Sequence, residues 1–180
     1  MRKQFVNYRY LENLEKQLSP GSEILDLGCG AGKPIDRFFI DKGHSVSGID
    51  ISKTQIKLAK RNVPKARYKV KDISTLKRAE YQVNAVVSFY TIFHIPREKH
   101  GELLNNIHSF LLTGGMALFT MGSFKWEGIE EFYGTEMYFS QYDPEVNREI
   151  VERAGFKVVL DEIDAGNRER HQVILARKNT

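Results

Sequence analysis

Residues Ile24 to Gly32 read Ile-Leu-Asp-Leu-Gly-Cys-Gly-Ala-Gly, an apolar strand that runs into three alternating glycines just before a helix start at Pro34. A strand, a glycine loop and a helix in that order begin a βαβ unit, which commits the chain to a parallel sheet with a ligand crevice at its carboxyl edge. Gly28 and Gly30 let the backbone turn sharply and approach a ligand with no Cβ in the way, and Gly32 permits close packing of strand on helix. The helix N-terminus beyond the loop favours an anionic group. A dinucleotide fingerprint needs its third glycine one residue later, where Lys33 stands, so the pattern for NAD or FAD is not met.

The rest of the chain repeats that alternation. Apolar runs at 23–27, 45–49, 67–70, 85–89 and 116–120 predict five strands, separated by segments of helical period at 34–41, 52–62 and 97–112. Phe5 to Leu18 reads as an N-terminal helix stopped at Ser19-Pro20-Gly21. Ser52 followed by Gln55 is a capping box, and the helix it opens carries Ile56, Leu58 and Ala59 and runs to Asn62. Asp143-Pro144 opens a helix ending at Gly155, and Phe156 to Leu160 and Gln172 to Ala176 predict a hairpin turning around Ala165-Gly166-Asn167. About ten residues separate those last strands, too few for a crossover helix, so one strand must run antiparallel.

With 41% hydrophobic residues among 180, residues 1–180 suit one domain with a substantial core. The net charge of +4 is spread among acidic residues without a basic run, which argues against nucleic acid as a partner. No apolar stretch reaches membrane-spanning length and the N-terminus does not read as a signal peptide, so a cytoplasmic protein with no membrane partner is expected. Cys29, the single cysteine, reads as a small packing residue in the loop. Metal ligation is not expected, because the histidines and acids show no ligand spacing.

The spacing of Asp26, Gly28, Gly30 and Gly32, D-x-G-x-G-x-G, resembles the first motif of the class I S-adenosylmethionine-dependent methyltransferases. The resemblance implies an α/β, doubly wound, mostly parallel seven-stranded sheet of order 3-2-1-4-5-7-6 with strand 7 antiparallel and helices on both faces. It also implies S-adenosylmethionine as cofactor. Asp50, about twenty residues beyond the loop at the end of the second strand, is placed to accept from both ribose hydroxyls; helix capping, the alternative, already falls to Ser52. By resemblance Ile51 lies against the adenine, Asp72 accepts from its amino group, and the Ile73 amide faces a ring nitrogen. Asp72 also reads as an ordinary turn residue. Asp26 would face the cofactor's ammonium, Cys29 lines the loop, and Phe89 lies near the sulfonium. Ser88-Phe89-Tyr90-Thr91 lacks the Asn/Asp-Pro-Pro-aromatic sequence of enzymes that methylate base exocyclic amines or protein glutamine. Asn84 departs from the family, where an aspartate is common.

His94, in Phe93-His94-Ile95-Pro96, is the candidate catalytic base, because that loop overlies the methyl position in the family; a structural histidine is the alternative. His44, His100 and His108 read as loop or helix-surface residues, whereas His171 begins the final strand and could face the cleft. Residues 123–142 are unusually aromatic for a connection and read as a lid over the acceptor, with Trp126, Tyr133 and Tyr138, and with Tyr8 of the N-terminal helix closing the other side. Glu127, Glu130, Glu131 and Glu136 make that lid acidic. The expected function is methyl transfer to a small-molecule acceptor; RNA or protein methylation, or cofactor binding without catalysis, are the alternatives. The sequence assigns no oligomeric state.

Overall fold

The computed structural model describes residues 8–132, 134–166 and 170–179. In chain order the elements are α1 (Tyr8–Glu15), β1 (Glu23–Leu27), α2 (Ile35–Asp41), β2 (Ser45–Asp50), α3 (Lys53–Asn62), β3 (Arg67–Val70), β4 (Val83–Ser88), α4 (His100–Phe110), β5 (Leu111–Gly122), β6 (Trp126–Phe132), β7 (Thr135–Gln141), α5 (Pro144–Arg153), β8 (Phe156–Asp164) and β9 (His171–Lys178). Seven strands form one sheet in the order β3-β2-β1-β4-β5-β9-β8. The pairings from β3 to β5 are parallel, and β9 runs antiparallel to both its neighbours. Numbered within the sheet alone, this is 3-2-1-4-5-7-6 with the seventh strand reversed, as the resemblance implies. Among the described residues the remaining two strands, β6 and β7, pair only with each other.

Strand alternation sorts the core into two layers. Ile24, Val46, Ala85, Val87, Met116 and Leu118 face α1 and α2, where Tyr10, Leu11, Leu14 and Phe39 complete the layer. Leu25, Leu27, Val86, Ala117 and Phe119 face the other way, onto Leu103, Leu104, Ile107 and Phe110 of α4 and Val151 of α5. Each fully buried Leu, Ile or Phe contributes about 1.5–3 kcal/mol, so register is strongly specified on both faces. One consequence reaches the site: Asp26 shares the face of Ile24 and must look toward α2.

The sequence places most helix ends correctly, because the caps are local. Ser52 Oγ accepts from the Gln55 amide at 3.3 Å, and Asp143 Oδ1 from the Val146 amide at 3.1 Å. Other expectations need correction. The helix expected at 97–112 spans only His100–Phe110, with Arg97–Lys99 a separate 3₁₀ turn. β5 already begins at Leu111, which pairs with Val83, and pairing resumes at Met116 with Ala85. Gly114-Gly115 is therefore a bulge within a strand, and a Cβ on Gly115 would stand 2.9 Å from the Asn84 carbonyl. Leu58 is exposed, whereas Ile56 and Ala59 are buried. His44 and His100 are buried rather than superficial; His100 Nε2 lies 3.2 Å from the Ile95 carbonyl, and His44 packs edge-on against Phe39. The aromatic connection is a hairpin, β6–β7, running in register from Trp126↔Gln141 to Phe132↔Thr135. Asn167 of the expected final turn and Tyr133 lie outside the described residues. The unusual Asn84 accepts from the Glu23 amide through Oδ1 at 2.8 Å, stitching β4 to the start of β1. No described helix is long and apolar enough to cross a membrane.

Candidate functional site

The glycine loop is tied to the end of β2, because the Gly28 and Cys29 amides both donate to the Ile49 carbonyl, at 2.8 and 3.0 Å. Gly28 has φ of 80°, and a Cβ there would stand 2.5 Å from Thr91 Cγ2 on the far side of the crevice. Gly30 has φ of 52°, and a Cβ there would meet nothing within 4 Å. The loop is thus packed shut at Gly28 and open at Gly30. The Gly30 amide donates to Asp50 Oδ2 at 2.9 Å and the Ser52 amide to Oδ1 at 2.8 Å. Asp50 is held rigidly at the strand end with lone pairs to spare on both oxygens. Beside it Ile51 is 69% exposed, an apolar face left uncovered at the crevice rim. Asp72 accepts from the Ser74 amide at 2.8 Å, so it does cap the turn at Ile73–Thr75, whose Ile73 side chain is buried.

Below this loop lies a group that sequence reasoning missed. Asp26, Gly48 and Tyr68 are neighbours across β1, β2 and β3, in the pairings Asp26↔Gly48 and Gly48↔Tyr68. With no Cβ on Gly48, the Tyr68 ring leans over it; a Cβ there would stand 2.7 Å from the ring and 2.8 Å from Cys29 Sγ. Tyr68 thereby reaches α2 and donates its hydroxyl to Asp36 Oδ2 at 2.8 Å. Asp26 and Asp36 are 1% and 0% exposed, and neither oxygen of Asp26 has a donor if both groups are taken as carboxylates. The group within hydrogen-bonding reach of Asp26 is the Asp36 carboxyl, which can meet it only when one of the two is protonated. Desolvation, then the Asp36 charge, push Asp26 well above the ordinary carboxyl range; burial raises Asp36 as well. Burial first, and the charges of Asp26, Asp36 and Asp50 after it, also push the Cys29 thiol up, which leaves it inert at neutral pH. Nothing in the sequence singles out Asp36, in the first turn of α2, and only the strand register reveals its neighbours.

The opposite wall is aromatic. Phe89 is buried at the end of β4, and Tyr90 follows with φ of 55°, a strained conformation for a bulky residue. The Tyr90 amide donates to Thr120 Oγ1 at 2.6 Å, which fixes the turn. His171, the first residue of β9, stacks on Phe93 at 5.2 Å and lies edge-on to Tyr90 at 4.9 Å, which places it beside the His94 loop. His94 Nδ1 lies 2.9 Å from the Tyr138 carbonyl of β7. A carbonyl only accepts, so Nδ1 carries the proton and Nε2 bears the free lone pair. Burial, the largest cause, holds the His94 pKa below its ordinary value.

The hairpin is latched to this wall by Arg97, a residue the sequence did not single out. Arg97 pairs with Glu127 at 2.9 Å, lies over the Tyr142 ring, and donates its amide to Ser140 Oγ at 2.9 Å. Tyr138 donates its hydroxyl to the same Glu127 at 2.7 Å. Glu127 is thereby turned to the hairpin's own latch, although it is exposed, as are Glu130, Glu131 and Glu136. Trp126 is 41% exposed on β6. Tyr8, the first residue of α1, packs against Phe38 of α2. Among the described residues no group of three or more His, Cys, Asp or Glu stands ready for a metal.

The profile of the methyltransferase domain family matches residues 24–115. An uncharacterized methyltransferase of Synechocystis sp. is 29% identical over 177 residues, 94% of this chain and 81% of the relative. A crystal structure of an S-adenosylmethionine-dependent methyltransferase from Methanosarcina mazei superposes with a TM-score of 0.81 at 21% identity, covering 93% of this chain and 97% of that one. The 1,6-didemethyltoxoflavin-N1-methyltransferase of Burkholderia thailandensis, solved with 1,6-didemethyltoxoflavin and S-adenosylhomocysteine, gives 0.74 at 21% identity over 96% of this chain and 77% of that one.

Proposed function

The chain belongs to the class I S-adenosylmethionine-dependent methyltransferases, and from that premise we propose that it methylates a small-molecule acceptor, with His94 as the base that takes the acceptor's proton. The cofactor of this enzyme is S-adenosylmethionine, which when bound supplies a methyl group already activated by its sulfonium. The residues fit that molecule. Asp26 offers a buried carboxyl with no donor of its own to an ammonium group, the open side of Gly30 leaves room beside the loop, and Asp50 is fixed to accept from a ribose. Ile51 provides the face for the adenine, with Asp72 and the Ile73 amide at its edge, and Gly28, Cys29, Gly32 and Phe89 line the path toward the methionine half.

The observation that carries the acceptor reading is the His94–Tyr138 contact. It sets the tautomer of a half-buried, neutral imidazole so that Nε2 can accept a proton at neutral pH. A base so placed contributes about 10²–10⁴-fold when the acceptor is a hydroxyl or a protonated amine. Orientation of the nucleophile and exclusion of water by the latched hairpin supply the larger part, about 7–11 kcal/mol at best. Trp126, Tyr138 and His171 border that pocket in this reading, with Tyr8 at the outer end of α1. The absence of a basic run on a chain of net charge +4, and the small molecule in the Burkholderia thailandensis relative's own name, favour a metabolite over RNA or protein. A screen with methyl-labelled S-adenosylmethionine against metabolite, nucleic-acid and protein fractions tests this. Label should enter the metabolite fraction and drop roughly a hundredfold in His94→Ala; label in RNA or protein would overturn the acceptor class, and none anywhere would leave a binding protein.

A further inference from the structure

We propose that Asp36 is a positioning residue of the cofactor site: it shares one proton with Asp26 in the free protein, and the pair gives that proton up when a ligand's ammonium group arrives, so that cofactor binding is proton-linked. The inference rests on the cofactor assignment, not on the acceptor or on His94. Its basis is the geometry beneath the loop. Two carboxyls, both at most 1% exposed, lie within hydrogen-bonding reach of each other, and three of their four oxygens have no hydrogen-bond donor from the rest of the described protein. The fourth, Asp36 Oδ2, accepts from Tyr68. Two such groups cannot both be ionised in contact without a cation between them. One proton satisfies the arrangement: Asp26 carries it and donates to Asp36, and Asp36 holds the charge, supported by the Tyr68 hydroxyl.

The other groups that act on the pair do not relieve it. From the loop there is Cys29, from the end of β2 Asp50, and from β3 Tyr68, each an acid or a neutral donor. Asp50 is already occupied by the Gly30 and Ser52 amides. Arrival of a ligand ammonium supplies the missing cation, the carboxyl O–H bond of Asp26 breaks, and its proton passes to solvent. The direction follows: affinity for an ammonium-bearing ligand rises with pH until it passes the pKa of the free pair, and below that it falls by up to tenfold per unit. Tyr68→Phe removes the donor that steadies the Asp36 charge and shifts that fall to higher pH. Asp36→Asn replaces the charge by an amide that donates to Asp26, and shifts the fall to lower pH. A residue that only supported the fold would not give opposite shifts.

The test is isothermal titration of wild-type protein with S-adenosylhomocysteine at pH 6.5 in two buffers of different ionisation enthalpy. 5′-Methylthioadenosine, which keeps the adenosine and thioether but has no ammonium, is the control. About one proton released per S-adenosylhomocysteine and none per 5′-methylthioadenosine is the expected result, with affinity for the former falling about tenfold or more from pH 8 to pH 5.5. Tyr68→Phe and Asp36→Asn should move that fall in opposite directions. Equal release with both ligands, or none with either, would overturn the proposal even if every other variant failed to fold. Failure of S-adenosylhomocysteine to bind at any pH would instead remove the cofactor site itself and this inference with it.

Discussion

Gly28→Ala and Gly30→Ala are chemically the same change two residues apart, and the structure separates their consequences. Both positions have positive φ, 80° and 52°, so an alanine costs about 1–2 kcal/mol of backbone strain at either. At Gly28 the new methyl also runs into Thr91, whose hydroxyl donates to the Phe89 carbonyl at 2.9 Å. Overpacking of that kind adds about 1–3 kcal/mol, which makes Gly28→Ala worth roughly 2–5 kcal/mol and a fall of about 5–15 °C in Tm for a chain of this size. Gly30→Ala carries only the strain, roughly 2–6 °C, because nothing lies within 4 Å of its Cβ. In the proposed placement the ligand approaches that empty side, so Gly30→Ala should weaken S-adenosylhomocysteine binding about tenfold or more. Thermal unfolding and calorimetric titration of the two variants read both effects. A Gly30→Ala protein less stable than Gly28→Ala, or one that binds as wild type does, would refute the division of the loop into a packed and an open side.

Three further outcomes follow from the same geometry. Asp26→Asn should stabilise the free protein at pH 8 by about 1–3 kcal/mol while weakening cofactor binding, because it removes a buried carboxyl with no donor. The raised pKa makes folding take up a proton above about pH 4, so stability falls as pH rises and the advantage of Asn grows with pH; a Tm difference independent of pH would count against this. If His94 is the base, the acid limb of kcat should lie below the ordinary histidine value near 6.5, since burial lowers its pKa, and His94→Gln should abolish that limb. Arg97→Ala frees Glu127 and the hairpin, so the emission of Trp126, the only tryptophan, should shift before ligand is added; an unchanged spectrum would mean that Arg97 does not hold the hairpin closed.

The parts of this molecule legible in the sequence are those set by local chemistry. The alternating glycines, the Ser52 and Asp143 caps and the apolar runs specify the first strand, the cofactor loop and the two-layer core, because each depends on residues a few positions apart. The strand order itself came from the resemblance, with the short 160–172 connection requiring only that one strand be reversed. What could not be read depends on neighbours brought together by register. Asp36 and Tyr68 are 32 residues apart and meet only because Gly48 lets the Tyr68 ring lie across β2. The β6–β7 hairpin escaped notice because Trp126-Glu127-Gly128-Ile129-Glu130-Glu131 carries its apolar residues at odds with a buried strand face, and its pairing is exposed on much of both sides. The Gly114-Gly115 bulge read as a connector, since two glycines after a helical period signal a turn far more often than an interrupted strand. His100 looked superficial because a histidine near a helix start gives no sign that the Ile95 carbonyl stands ready for it.

The central claim, that the strand ends at Gly30 and Asp50 hold the nucleoside of S-adenosylmethionine, is tested most directly by titrating S-adenosylhomocysteine into wild-type protein and Asp50→Ala. Loss of a carboxylate accepting two ribose hydroxyls should cost about 2–4 kcal/mol, roughly thirty- to a thousandfold in Kd, with only a modest fall in Tm from the two amides left behind. Under the same conditions NAD should not bind. Unchanged affinity in Asp50→Ala, or NAD binding as tightly as S-adenosylhomocysteine, would contradict the placement of the cofactor.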